Sequence, residues 1–114
     1  MPYISNDKRS VLDPYIDMLH NELAGLQADN ELDNIEGNLN YIITKLFSLV
    51  YSSPSYSEIN AAIGVLECCK LEWYRKLAAP YEDKKEVENG RVLTTPMLDQ
   101  LKELSTSSQE RSDG

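Results

Sequence analysis

One stretch of this 114-residue chain, WYRKLAAPYEDKK at 73–85, places aromatic rings beside cations: Tyr74, Arg75, Tyr81, Lys84 and Lys85. Arginine and lysine contact phosphate oxygens through charge-assisted hydrogen bonds. A tyrosine ring offers a flat face for a base or a cation. Pro80 sets a bend, because proline lacks an amide hydrogen and clashes with the preceding turn, and side chains on both sides of a bend can converge. Glu82 and Asp83 fall in the first turn after it, where a carboxylate suits the helix dipole and accepts from a ligand hydroxyl. Tyr41 and Lys45, four residues apart on the preceding helix of this or a neighbouring subunit, are expected to form a second wall, with Lys70 as a further neighbour. The candidate ligand-binding residues are therefore Tyr74, Arg75, Tyr81, Lys84, Tyr41, Lys45, Lys70 and Glu82, and the expected ligand is a small anionic, nucleotide-like molecule. The plainer reading of the same residues is a solvated basic face with tyrosines at a helix edge.

Other chemistries find less in the sequence. It has no nucleophile elbow, phosphate-binding loop, dinucleotide fingerprint, His-Glu-x-x-His or Cys-x-x-Cys pair. A magnesium-dependent nucleotide hydrolase of the helical type needs two carboxylates one turn apart on each of two helices. Glu67 and Glu72 are instead separated by about 140° around a helix, and Glu36 finds only Asn40 one turn on. That hydrolase is the second alternative. His20 is the only histidine, so no metal pair forms around it. Cys68 and Cys69 are neighbours on a helix and point in different directions, which disfavours a disulfide framework or a zinc site. Reduced thiols are expected, with Cys69 toward the core. The expectation is a non-enzymatic protein with no metal and no cofactor.

Nineteen acidic against eleven basic residues give a net charge of −8. Affinity for a phosphate backbone comes from basic patches, so direct nucleic-acid binding is not expected. Solubility explains the excess acid. The alternative function is an acidic inhibitor that mimics nucleic acid before a host defence enzyme. Its charges would come from the run Asp29, Glu31, Asp33 and Glu36. No apolar run reaches the roughly 20 residues of a membrane span, and the opening MPYISNDKRS lacks the apolar region of a secretory signal. A cytoplasmic protein is expected.

The elements that must position these residues are helical, with no alternating strand pattern. Asp13-Pro14 reads as a cap and first helical position, followed by Leu12, Ile16, Leu19, Leu23 and Leu26 on one stripe. The alternative is one longer helix from about Asn6, bent at Pro14, with Ser5 or Asn6 as cap. Asp29, Asn30 or Asp33 caps a second helix, and Gly37 weakens its first turn. Ser55 and Glu58 form a capping box for the third. Its core stripe is Ile59, Ala62, Ile63, Leu66, Cys69, Trp73 and Leu77, and Gly64 marks a close approach. Asn89-Gly90 is a stop. The predicted fold is all-α, with three principal antiparallel helices at 13–27, 35–52 and 56–79. A continuation follows at 81–88, then a weak helix near 96–104 opened by Thr95-Pro96, then a disordered tail. By domains, 1–92 is the helical domain, 93–104 a short amphipathic segment and 105–114 the tail. Leu71, Ala78, Tyr74 and Tyr41 are apolar surplus beyond a three-helix core, so a homo-oligomer is expected.

Three words occur together: LNYIITKL at 39–46, IGVLECCKLEWYRKLAAPYEDKKEVENG at 63–90, and the opening MPYIS with Leu-Asp-Pro at 12–14. This combination resembles a family of small proteins of unknown function found in tailed bacteriophages and some bacteria. The likeness covers about 1–92. It implies a phage setting, in which the bound molecule would be a nucleotide signal of host defence. It supplies no activity of its own.

Overall fold

A computed structural model of the chain describes the backbone of residues 2–29 and 34–113, with side chains of 2–28 and 34–105. Every element is helical: α1 Asn6–Asp29, α2 Ile35–Val50, α3 Tyr56–Trp73, a π-helical segment Tyr74–Ala78, α4 Ala79–Asn89 and α5 Thr95–Asp113. The chain divides into two units, Met1–Glu72 and Trp73–Gly114.

In the first unit, α1 is the long alternative. It starts at Asn6, and Pro14 lies inside it rather than at its first turn. Ser5 is the cap: its carbonyl accepts the amide of Arg9 at 3.0 Å, and its hydroxyl accepts weakly from Lys8 at 3.5 Å. One missing amide in a 24-residue helix removes one bond of the ladder, and the rest carries it. The lead-in folds back on itself. The Ile4 amide donates to Pro2 at 3.0 Å, Arg9 Nε donates to the Ile4 carbonyl at 2.9 Å, and the Tyr3 hydroxyl donates to Glu72.

The cap of α2 is Asn34, one residue later than the latest candidate. Its side chain accepts the Gly37 amide at 3.0 Å. Of those candidates, Asn30 and Asp33 lie outside the described residues, as does most of the acidic run. Gly37 sits at the third helical position, and a Cβ there would meet Asn34 Cγ at 3.3 Å. The glycine therefore accommodates the cap, and the helix starts two residues before it. At the other end the Tyr51 amide donates to the Phe47 carbonyl at 2.8 Å, and the two rings tilt together with centroids 5.8 Å apart.

The α3 cap follows half of the expected box. Ser55 Oγ accepts the Glu58 amide at 3.2 Å, but Glu58 reaches back to the amide of Ser53, at 2.7 Å, and not to that of Ser55. α1 packs against α2. The expected three-helix core is not formed: among the described residues none is buried. The stripe of α3 stays open, with Ile59, Ile63 and Leu66 exposed and Trp73 at 70%. Cys69, expected toward the core, is exposed like Cys68. Each apolar stripe has the right period, but a single chain brings too little surface against it.

In the second unit helical geometry runs through Pro80. Trp73, Ala78 and Ala79 all keep right-handed helical dihedrals, and the Ala79 amide donates five residues back, to the Tyr74 carbonyl. A proline ring crowds the carbonyl four residues before it. Widening the preceding turn to a five-residue register relieves that crowding, so a π segment forms where a bend was expected. α4 ends at Asn89. Gly90 takes φ +99° and donates its amide to Glu86 at 2.8 Å, which is the expected stop. The Leu98 amide donates to the Thr94 carbonyl at 3.2 Å, so α5 is capped at Thr94 rather than Thr95. α5 continues as helix to Asp113, where a short helix ending near 104 and a disordered tail from Ser105 were expected.

Candidate functional site

The π-helical segment carries Tyr74, Arg75 and Lys76, and the first turns of α4 carry Tyr81, Glu82, Lys84 and Lys85. All are exposed. Two contacts organise them. The Tyr74 hydroxyl donates to Glu82 Oε2 at 3.4 Å, a long bond between residues eight apart. Lys85 Nζ lies 5.6 Å from the Tyr81 ring centre and donates to Glu88 Oε2 at 3.2 Å. Tyr74 thus meets Glu82 as part of one cluster, and Tyr81 takes a cation on its face. That cation is Lys85, not Lys84. Three- and four-residue spacings both bring side chains together on a helix, so the sequence allowed either lysine beside Tyr81.

An open cavity of about 350 Å³ lies beside this cluster, lined by Glu82, Lys85, Glu86, Asn89, Gly90 and Val92. Only Glu82 of the expected ligand residues reaches it. Two carboxylates face one ammonium there, so the charge suited to an anion lies outside this cavity, at Arg75, Lys76 and Lys84.

Three of the expected residues belong to the first unit. Tyr41 and Lys45 are exposed and one turn apart on α2. Lys70 pairs along α3 with Glu67 at 3.5 Å, both well exposed. An exposed pair of this kind is worth little. The Glu72 carboxylate accepts from the Tyr3 hydroxyl.

The first unit has a second cavity, about 430 Å³, lined by Pro2, Ala61, Gly64, Val65, Cys68 and Cys69. Among the described residues the close approach expected at Gly64 is not made: apart from its own helix backbone and chain neighbours, nothing lies within 4 Å of a Cβ placed there. Among the described residues no three His, Cys, Asp or Glu gather into a metal-binding group, and no helix is long and apolar enough to cross a membrane.

No curated protein and no solved structure matches the chain. One family model does match, over residues 1–92, which takes in α1 to α4 and the whole π-helical cluster. The chain belongs to the family described as Domain of unknown function (DUF6899).

Proposed function

We propose that the chain binds and sequesters a small anionic, nucleotide-like molecule, without catalysis, at the π-helical segment and the first turns of α4. The observation that carries this reading is the π segment itself. A five-residue register has poorer hydrogen-bond geometry than an α-helix, and such segments recur at functional sites. Here it coincides with the residues that combine rings and cations, Tyr74 to Ala78 followed by Tyr81 and Lys84. Arg75 provides a forked donor for phosphate, Lys76 and Lys84 add charge, and Tyr74 or Tyr81 offers a stacking face. The Glu82 carboxylate, already holding the Tyr74 hydroxyl, is placed to accept from a sugar hydroxyl. In a phage setting the molecule would be a nucleotide signal of host defence, held in the cytoplasm by a homo-oligomer in which each chain's own principal helices run antiparallel.

The test is to incubate the purified protein with cell extract, wash it, denature it by heat and identify released small molecules by mass spectrometry. A retained phosphorylated species is the expected result, and Arg75→Ala should retain at least tenfold less of it, equivalent to about 1.4 kcal/mol. Arg75→Ala should leave Tm within a few degrees, because the residue is exposed. An empty wash from the wild-type protein, or an Arg75→Ala variant that unfolds, would remove the proposal.

A further inference from the structure

Exposed apolar side chains are left unused by the ligand reading. Among the described residues none is buried, so α1 meets no enclosed core within its own unit. One part of the exposed apolar surface has a pairing code. On α1, Leu12, Ile16, Leu19, Leu23 and Leu26 recur at spacings of four, three, four and three, which is the a/d seam of a coiled coil. Four of its five residues are exposed, Leu12 at 48%, Ile16 at 59%, Leu19 at 42% and Leu26 at 52%, and Leu23 is half-buried. Val11, Tyr15 and Met18 widen the apolar face on one side of this seam and are exposed as well, at 65%, 69% and 65%.

We infer that α1 pairs with α1 of a second copy as a parallel two-stranded coiled coil along this seam. Leucine fills every d position, at 12, 19 and 26; of the two a positions, Ile16 is the β-branched type that favours two parallel strands with leucine at d, and the second is Leu23. Pro14 falls at the f position, farthest from the partner, so its missing amide does not disturb the seam. In the parallel register Lys8 at g faces Asp13 at e of the other copy, and their charges are opposite. Arg9, one heptad before Ile16, turns its Nε to the Ile4 carbonyl, so the apolar seam begins at Leu12. The alternative occupant, an apolar helix of a different protein, is separated from a second copy by the test.

The pairing does not depend on the ligand reading. Its test uses the full chain with Cys68→Ser and Cys69→Ser, to which Leu19→Cys or Asp17→Cys is added. Asp17 lies at b, off the seam. Mild oxidation should link Leu19→Cys chains into disulfide dimers much faster than Asp17→Cys chains, because like d positions face each other in a parallel pair. Sedimentation of the wild type should give at least twice the chain mass, and Leu19→Glu should lower it. Linking at Leu19→Cys no faster than at Asp17→Cys, or a wild-type mass of one chain, would overturn the inference.

Discussion

Individual residues set the ends of these helices, and their roles are separable from any ligand. Ser55 holds the amide of Glu58, and Glu58 holds that of Ser53, so two donors at the start of α3 are satisfied by one pair of side chains. Ser55→Ala should cost about 1 kcal/mol, whereas Ser55→Gly should cost only a few tenths. Thermal melting followed by circular dichroism reads both losses, and a Ser55→Ala protein as stable as the wild type would show that the hydroxyl contributes nothing. Asn34 does the same for α2, and Gly90 closes α4 with a positive φ that a side chain would strain. Arg75 belongs to a different class. It lies on an exposed segment, and its substitution is expected to act on ligand retention and not on folding.

At the scale of elements, the π segment is the feature with the clearest cause. Pro80 removes one amide and crowds one carbonyl, and the chain answers by passing the Ala79 amide to Tyr74. Pro80→Ala should let the segment return to an α register. The expected outcome is higher thermal stability, bounded by the roughly 3 kcal/mol that an unrelieved helix proline costs, together with weaker ligand retention. Unchanged retention in a stabilised Pro80→Ala protein would separate the π register from function. Much of this architecture was legible in the sequence, because helix periods, the Ser55 cap and the Asn89-Gly90 stop are local signals. Three features were not. Asp13-Pro14 reads first as a helix start, which α1 overturns in favour of an interior proline, and only the bonds at Ser5 decide between them. Pro80 announces a disturbance but not whether the chain bends or widens. The choice of Lys85 over Lys84 for the Tyr81 face depends on a helix phase that the sequence leaves open by one residue. The cations beside Tyr74 were visible as a group, yet the carboxylates that line the neighbouring cavity were not, since Glu86 and Asn89 come alongside Glu82 only once α4 is built.

For the whole molecule, apolar side chains with helical periods and no buried residue among those described pose one question: what covers them. A chain of this size normally buries about two thirds of its unfolded surface, and stripes such as Leu12 to Leu26 supply the means once a second copy is present. Assembly and ligand retention are then two properties of one object. Native mass spectrometry of the protein recovered from cell extract reads both at once. The account predicts a multiple of the 12.9 kDa chain mass carrying additional small-molecule mass that Arg75→Ala abolishes. A species at the mass of one bare chain would contradict it.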